Sequence, residues 1–498
     1  MRFPRRSGIL LHPTSLPGPY GSGDFGPAAY HFIDWMAAAG QRLWQILPLG
    51  GIGPGNSPYM SSSAFAGNVL LIDLAELQQR GWLDAQDLVP TAELDERAVD
   101  FAAVVPYRMQ RLARAAQRFA ADASGADQAE LAAFREAQAS WLGNYALFMA
   151  LVEANDWRDW PDWAPELAFR EPKAMAAAKE EQAERIAFWT FCQWSFFRQW
   201  GRLRHHANAR GIHIVGDAPI FIAHQSAEAW ARPELFELDA SGRPTVIAGV
   251  PPDGFSPTGQ RWGNPLYRWE AHAREGYAWW IERVRRAFEL VDIVRIDHFR
   301  GFAGYWEIPA SEPTAINGRW VTGPGEALFK AIADALGPLP IIAEDLGVIT
   351  PDVEALRVAF DFPGMRILQF AWGEAPSAEL RFQPHNHTPD SVVYTGSHDN
   401  DTTLGWWASA DETVRHHLRD YLATDAHAVH WDLMRAACAS VADSAVHPMQ
   451  DVMGLGTEHR MNFPGTGEGN WSWRFAWADV PADAAVRLKR MCQLYERL

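Results

Sequence analysis

The sequence of 498 residues predicts an α/β barrel of parallel strands, because short apolar runs in its second half end repeatedly in an acidic residue. The runs VRIDHFRG, IIAEDLG and TGSHDND contain Asp297, Glu344 and Asp399, and IHIVGDAPIF contains Asp217. Buried parallel strands end in this way when they deliver polar side chains to a site. Four such runs over nearly 200 residues indicate strand ends that converge on one acidic cleft.

Strand-like runs alternate with segments of helical spacing, which is typical of a parallel α/β fold. The helical segments include WWIERVRRAFELV and PDVEALRVAF. The predicted strands and strand-like apolar runs are Leu43–Leu49, Val69–Ile72, Ile212–Val215, Ile293–Ile296, Ile341–Ala343, Ile367–Phe370 and Val392–Tyr394.

Two long segments interrupt this alternation. From about residue 73 to 210 the composition shifts to Ala, Glu, Gln, Arg and Leu, which predicts a mostly helical insertion leading into a long helix near residues 186–210. Residues 224–270 contain six prolines and several glycines, which favours a long loop insertion at the active site. No repeat or flexible linker separates these parts, so residues 1–498 are expected to form one elaborated barrel.

Composition and charge exclude several classes of partner. The formal net charge of −17 makes nucleic acid and anionic membranes unexpected partners. No stretch is apolar enough to span a bilayer, and the N-terminal apolar run ends at His12-Pro13, too early for a signal peptide. The three cysteines, Cys192, Cys438 and Cys492, are scattered, which fits a reducing compartment. We therefore expect a cytoplasmic protein.

Two of the carboxylates have the different characters that retaining cleavage of a glycosidic bond requires. Arg295 lies two residues before Asp297 on the same predicted strand, so both side chains are expected to point into the barrel. A nearby guanidinium lowers the pKa of an Asp and keeps it ionised, as a nucleophile must be. Glu344 follows the apolar IIA and precedes Asp345. Burial beside another acid raises a carboxyl pKa, as a general acid needs.

Asp399 lies between His398 and Asn400, and these side chains suit hydrogen bonds to neighbouring sugar hydroxyls. Each pattern also has a purely structural interpretation, since an R-x-D is often an ion pair and an H-D-N is often a turn. The chain contains 24 Trp, and Trp262 lies in GQRWGNP; a flat indole suits a sugar ring, although core packing is the commoner role. Function is favoured because the acids occur together, each at a predicted strand end.

Other chemistries lack their sequence patterns. There is no GxSxG, HExxH or GxxxxGK[ST], and GTGEGN at residues 465–470 lacks the strand-to-helix context of a nucleotide loop. The histidines are dispersed without a metal-ligand spacing. No metal or organic cofactor is therefore expected.

Beyond these residues, the sequence resembles the 4-α-glucanotransferases of the α-amylase superfamily, called amylomaltase in bacteria and disproportionating enzyme in plants. The resemblance runs from LLHPTSLPGPYG at residue 10 to GNWSWR ending at residue 474, nearly the whole chain. It rests on long, specific segments: NSPYMSSSAFAGN, GDAPIF, AGVPPDGFSPTGQRWGNPLYRW, VRIDHFRGF, AEDLGVITP and TGSHDNDTT.

The resemblance implies a (β/α)8 TIM barrel with inserted, largely helical subdomains that transfers α-1,4-glucan segments with retention and without a cofactor. A monomer is expected, although the sequence leaves the oligomeric state open. It implies that Asp297 is the nucleophile, Glu344 the general acid/base and Asp399 the transition-state stabiliser. The implied partners are malto-oligosaccharides, amylose or other α-1,4-glucans, with glucose as an acceptor. The implied substrate-binding residues are Tyr59, Asp217, Arg295, His298, His398, Trp262, Asn264, Gly254, Phe255 and Asn462.

The sequence departs from its relatives at two positions. Gly254 stands where close relatives often have a tyrosine, beside the phenylalanine matched by Phe255, in a loop expected to cover the cleft and discourage water. Glycine gives that loop more freedom, so acceptor handling is expected to differ. Pro54 stands where some relatives have a tyrosine of a remote second glucan site, so that site is not assumed here.

Three hypotheses follow. The leading one is a glucanotransferase. The second is a mainly hydrolytic α-glucosidase or amylase of the same fold, which shares the covalent intermediate and differs in whether water or a sugar attacks it. The third is a non-catalytic glucan-binding or regulatory barrel, which the intact acidic set with Arg295 disfavours.

Overall fold

The computed structural model describes residues 3–90, 94–253, 256–373 and 380–498. Its strands fall into two sheets, one of eight parallel strands and one of four antiparallel strands. In chain order the described strands are β1 (Arg6–Leu10), β2 (Leu43–Gln45), β3 (His213–Pro219), β4 (Val246–Val250), β5 (Gln260–Pro265), β6 (Ile293–Asp297), β7 (Gly304–Pro309), β8 (Arg319–Thr322), β9 (Ile341–Ala343), β10 (Gly364–Ile367), β11 (Ser391–Tyr394) and β12 (Ser444–Pro448).

The parallel sheet forms a barrel whose strands follow chain order around the ring: β1, β2, β3, β6, β9, β10, β11 and β12, which pairs again with β1. Between β9 and β10 the ring is joined by a hydrogen bond of 2.9 Å from the Ala343 N–H to the carbonyl of Pro363. Strands β10, β11 and β12 are buried along their whole length, as expected of parallel strands covered on both faces. The predicted (β/α)8 barrel is confirmed.

Helices surround the barrel and fill the connections between its strands. Within the described ranges, none of them is long and apolar enough to cross a membrane. In chain order they are α1 (Pro27–Ala38), α2 (Leu74–Gln79), α3 (Phe101–Asp122), α4 (Gly125–Ala137), α5 (Leu142–Ala154), α6 (Pro165–Ala168), α7 (Pro172–Glu181), α8 (Ala183–Asn208), α9 (Ala227–Ala231), α10 (Trp269–Arg274), α11 (Ala278–Leu290), α12 (Gly325–Leu336), α13 (Pro351–Ala359), α14 (Thr403–Ser409), α15 (Glu412–Leu422), α16 (Val429–Ala439), α17 (Met449–Met453) and α18 (Ala484–Leu494).

The connection from β2 to β3 contains helices α2 to α8. The long helix expected near residues 186–210 is α8, which buries Trp194, Phe196 and Trp200 among others. Its aromatic side chains pack on the barrel side against Trp44 and Phe25, for example with 6.2 Å between the ring centroids of Trp44 and Trp200. The helical segment is thereby tied to the wall of the barrel.

The segment 224–270 is more ordered than the loop its composition predicted. It contains α9, β4 and β5, and β4 pairs with β7 from the connection after β6. The resulting antiparallel sheet has the order β5-β4-β7-β8. The composition of this segment is typical of a loop because prolines and glycines lie at the strand ends. They also lie at an irregular pairing between Ile247 and Gly249.

Several strand predictions differ from the structure at their boundaries. Only Leu43–Gln45 of the first predicted strand pairs, and Val69–Leu71 forms a 3-10 turn. The strand predicted at Ile367–Phe370 lies earlier, because β10 ends at Ile367 and a 3-10 turn follows. Strands β1 and β12 were missed because Ser, Gly, His and Pro interrupt their apolar residues.

A buried arginine joins the elements at the end of the barrel opposite the carboxylates. The guanidinium of Arg497 is fully buried and donates to six main-chain carbonyls, those of Arg6, Ala437, Cys438, Ser440, Ala442 and Asp443. These carbonyls belong to the end of α16, to the segment that joins α16 to β12, and to the start of β1.

We expect Arg497→Met to lower the free energy of unfolding by about 3 kcal/mol or more, because several buried carbonyls lose their donor at once. Chemical denaturation measures this change. Arg490→Met, on the exposed face of α18, is the matched control and should change stability by less than about 0.5 kcal/mol. Similar stabilities for the two variants would show that water replaces the guanidinium without cost.

Candidate active site

The centre of the candidate site is a buried arginine between two carboxylates on neighbouring strands. Asp217 of β3 pairs in register with Arg295 of β6. Nη1 of Arg295 donates to both carboxylate oxygens of Asp217 at 2.7 and 2.6 Å, and Nη2 donates to Oδ1 of Asp297 at 2.9 Å. The side chains of Arg295 and Asp217 are 3% and 0% exposed, whereas that of Asp297 is 28% exposed. Arg295 therefore fixes Asp297 with part of its carboxylate open to the cleft.

Tyr59 and His398 extend this network across the barrel mouth. The Tyr59 hydroxyl donates to Oδ2 of Asp217 at 2.8 Å and lies 2.8 Å from Nε2 of His398. Because a phenol has a single proton, His398 must be the donor in the second bond, which places its proton on Nε2. The two rings are also stacked, with centroids 5.4 Å apart and an angle of 18° between their planes.

Glu344 follows β9, the neighbour of β6, and is 9% exposed. Its Oε2 accepts the main-chain N–H of His298 at 2.7 Å, and its Oε1 accepts the N–H of Leu346 at 2.8 Å. His298 has a φ of 52°, a left-handed conformation that turns the chain at the end of β6 and presents this N–H to Glu344. Both oxygens keep a second lone pair.

The pKa values of the two central acids are both raised, but to different extents. Burial raises the pKa of Glu344 to about 8, and the negative charge of Asp297 adds to this effect. Burial also raises the pKa of Asp297 to about 6, against the opposing charge of Arg295. The expected lowering of the Asp297 pKa was therefore wrong in direction, because desolvation outweighs the guanidinium. The neighbouring charge of Asp345 also raises the pKa of Glu344, as expected, after the larger effects of burial and Asp297.

Asp399 lies on the opposite side of the site, with its side chain 45% exposed. Its Oδ1 accepts the amide of Asn462 at 2.6 Å and its carbonyl accepts Nη2 of Arg460 at 2.7 Å. The turn interpretation of the H-D-N segment applies to Asn400, whose Oδ1 accepts both the N–H and the hydroxyl of Ser397. The structure thus brings Asp399, His398 and Asn462 together and gives Asn400 a structural role.

Two further predicted binding residues, Trp262 and Asn264, lie on strand β5 of the antiparallel sheet. Trp262 of β5 is half-buried, and its ring meets that of His298 edge to face with 4.8 Å between the centroids. Asn264 is 5% exposed and its amide donates to the carbonyl of Ile222 at 3.0 Å. Gly254 and Phe255 lie outside the described residues. In the described ranges, no three His, Cys, Asp or Glu side chains are grouped as a metal site would require.

Asp451, which was not among the predicted site residues, anchors the segment that contains His398 and Asp399. Asp451 is 1% exposed and accepts the Thr395 hydroxyl at 2.5 Å, the Thr403 N–H at 2.7 Å and the Thr403 hydroxyl at 2.7 Å. One buried carboxylate therefore joins both ends of the 395–403 segment. The available signal was the acid that follows the apolar run of β12 in SAVHPMQD.

The chain was compared with known families, curated proteins and solved structures. Residues 11–479 match the family model described as 4-alpha-glucanotransferase. The chain is 51% identical to the 4-alpha-glucanotransferase of Thermus thermophilus over 506 aligned residues, covering 100% of both proteins. It is 47% identical to that of Synechocystis, covering 99% of this chain and 98% of the relative. The structure matches amylomaltase from Streptococcus agalactiae in complex with acarbose with a TM-score of 0.95, at 37% identity and 99% coverage of both chains.

We expect Asp451→Asn to lower turnover about 10–100-fold, because its amide presents donors where the Thr395 and Thr403 hydroxyls also donate. The protein should stay folded, while amide hydrogen exchange across residues 395–403 should become faster. Asp420→Asn, at an exposed position on α15, is the control and should leave both measurements unchanged. Normal exchange with lost turnover would contradict an anchoring role for Asp451.

Proposed function

The chain belongs to the 4-alpha-glucanotransferase family, and we propose that its cleft transfers α-1,4-glucan segments between malto-oligosaccharides or to glucose by a retaining double displacement. The observation that carries this proposal is the placement of two acids with different partners at neighbouring strand ends: Asp297 accepts Nη2 of Arg295, whereas Glu344 accepts two main-chain N–H groups. Asp297, with its pKa at about 6, is ionised near neutral pH, whereas Glu344, with its pKa at about 8, is protonated.

In the first step, Asp297 attacks the anomeric carbon while Glu344 donates its proton to the oxygen of the leaving glucan. The glycosidic bond breaks as the bond to Asp297 forms, and Glu344 becomes a carboxylate. The main-chain N–H groups of His298 and Leu346 donate to the two oxygens of Glu344 and stabilise its negative charge.

In the second step, the hydroxyl of an acceptor sugar gives its proton to Glu344 and attacks the glycosyl-enzyme. The bond to Asp297 breaks, a new α-1,4 bond forms, and both acids return to their starting states. The charge on Asp297 that reappears is again stabilised by Nη2 of Arg295.

Asp399 and its neighbours bind the sugar that reacts. The half-exposed carboxylate of Asp399 offers an acceptor to a sugar hydroxyl. The Nε2–H of His398 donates to the Tyr59 hydroxyl, which holds the imidazole in place beside Asp399. Asn462 fixes Asp399 through its amide. These hydrogen bonds strengthen as positive charge develops on the ring, which is why Asp399 is proposed to stabilise the transition state.

Transfer rather than hydrolysis is supported by the names of the relatives, which are transferases in bacteria and plants. We also propose amylose as a substrate, since α-1,4-linked chains share the same repeating unit. The three cysteines are buried and free, which supports action in a reducing compartment such as the cytoplasm.

The decisive test is the product distribution from maltotriose. The parent protein should form a ladder of longer and shorter chains with little rise in total reducing ends. Asp297→Asn should lower transfer roughly 10⁴-fold or more, because the covalent step is lost while the amide keeps the shape of the site. Chromatography of labelled products measures both.

Circular dichroism and mass spectrometry provide the controls for folding and for deamidation of the new Asn. Rising reducing ends without a ladder would establish hydrolysis in place of transfer. Near-parental transfer by intact Asp297→Asn would remove Asp297 from the nucleophile role.

The pH dependence of kcat/KM should be bell-shaped. The rate should rise as Asp297 loses its proton near pH 6 and fall as Glu344 loses its proton near pH 8. With a glucosyl fluoride donor, which needs little protonation, Glu344→Gln should keep the rising limb and lose the falling one. A falling limb unchanged in Glu344→Gln would assign it to another group.

A further inference from the structure

Trp320 of β8 presents an exposed indole on the antiparallel sheet. Its surface is 45% exposed, and in the described part of the chain Trp157 is the single other tryptophan that is more than one-third exposed. Ile316, in the segment before β8, is 51% exposed. The protein buries most of its 24 tryptophans, and an indole that stays in solvent offers a flat apolar surface of the kind that is enriched at binding interfaces.

The indole is fixed by its neighbours. The guanidinium of Arg300 lies 3.9 Å from its ring centroid, and the ring of Trp306 on β7 meets it at 68° with 5.3 Å between the centroids. Trp306 is itself held by a hydrogen bond of 2.9 Å from Nε1 to the carbonyl of Ala315. Because Arg300 stacks on the ring and Trp306 packs against it, the part of Trp320 that stays exposed is pre-ordered and loses little entropy when a ligand binds.

This platform, defined as Trp320 with its supports Arg300 and Trp306, is linked through Arg300 to the segments that contain the catalytic carboxylates. Arg300 follows Asp297 by three residues and is 8% exposed. Its Nη1 donates to the carbonyl of Val348, in the loop that begins at Glu344. The sheet that contains Trp320 also contains β5 with Trp262, whose ring contacts His298. The platform is therefore connected to the cleft through both catalytic strand ends.

We propose that this platform binds a distal part of an α-1,4-glucan whose reacting part occupies the cleft, an inference that rests on the proposed function. A flat indole matches the apolar face of a glucose ring. The charged group that touches the ring is Arg300, and its Nε and Nη1 donate to the main-chain carbonyls of Gly304 and Val348. Because the protein itself uses these donors, the platform suits an uncharged ligand that stacks on the indole. The net charge of −17 disfavours an anionic partner such as a lipid surface or nucleic acid.

Stacking on Arg300 alone would explain why Trp320 lies where it does, but it would not require 45% of its surface to be exposed. The two interpretations predict different dependence on ligand length. A short glucan fills the cleft without reaching the platform, whereas a long one contacts both and gains avidity from the second contact. Trp320 should therefore matter for amylose and not for maltotriose.

The test measures binding without turnover, in the Asp297→Asn background, so that it is independent of whether transfer occurs. Affinity electrophoresis in gels containing amylose, and calorimetry with maltotriose, give the two dissociation constants. Trp320→Ala should raise the constant for amylose about three- to tenfold and leave that for maltotriose within twofold. Trp320→Phe, which keeps a ring for Arg300 to stack on, should give an intermediate loss and replaces the alanine variant if that variant is unstable.

Trp157→Ala is the matched control, because its indole is 65% exposed and lies in the helical segment after α5. It should bind both glucans as the parent does. An unchanged amylose constant in Trp320→Ala, or an equal loss in Trp157→Ala, would overturn the proposal. An equal loss for maltotriose would show that Trp320 acts only by packing on Arg300. Self-association of the parent that Trp320→Ala abolishes in sedimentation would assign the platform to a second copy of the chain and also overturn it.

Discussion

The structure of the site depends on one ion-pair network, in which Arg295 is shared between Asp217 and Asp297. A buried guanidinium is costly unless its donors are all directed at acceptors, and here one carboxylate binds Nη1 through both oxygens while the other binds Nη2. Burial opposes the charge of Arg295, but the two acids outweigh it and raise its pKa. Asp217 is thus the permanent counterion, which allows Asp297 to change its bonding during a reaction without leaving an unpaired charge in the barrel.

The same network reaches across the mouth of the barrel. Asp217 accepts the hydroxyl of Tyr59, and that hydroxyl accepts Nε2–H of His398, so β6, β3 and the loops after β2 and β11 share one line of hydrogen bonds. Asp451 fixes the loop after β11 by accepting hydrogen bonds from both of its ends, at Thr395 and Thr403. Donors and acceptors that meet a substrate are therefore oriented before it binds, which is the condition for electrostatic stabilisation without reorganisation. The barrel orients these donors and acceptors because the carboxyl ends of all its parallel strands lie at the same rim.

The parts of the fold and the site that the sequence predicts are those encoded by neighbouring residues, whereas the parts that depend on tertiary contacts are not predicted. The strand-end acids could be predicted, since Val- and Ile-rich runs that break into Asp or Glu are local features. Strands β1 and β12 could not, because RSGIL and SAVHP are buried by their neighbours rather than by their own hydrophobicity. The antiparallel sheet pairs β4 with β7 across more than 50 residues, a contact that composition does not encode. At the site, the role of Asn400 in a turn and of Asp451 as an anchor depend on tertiary contacts that no sequence spacing reveals.

The pKa of Asp297 shows why a correct residue can be assigned with an incomplete physical reason. The sequence places one guanidinium beside it, which by itself lowers the pKa of an Asp. The fold adds two effects that the sequence does not display: Asp217 already engages Nη1 of the same guanidinium, and burial penalises the ionised form. The net pKa is raised, yet it remains below that of Glu344, for which the charge of Asp297 adds to burial and Arg295 only partly opposes it. The pKa values of the two acids therefore differ because their contacts with Arg295 differ. Nη2 of Arg295 donates directly to Asp297, whereas Glu344 accepts only main-chain N–H groups.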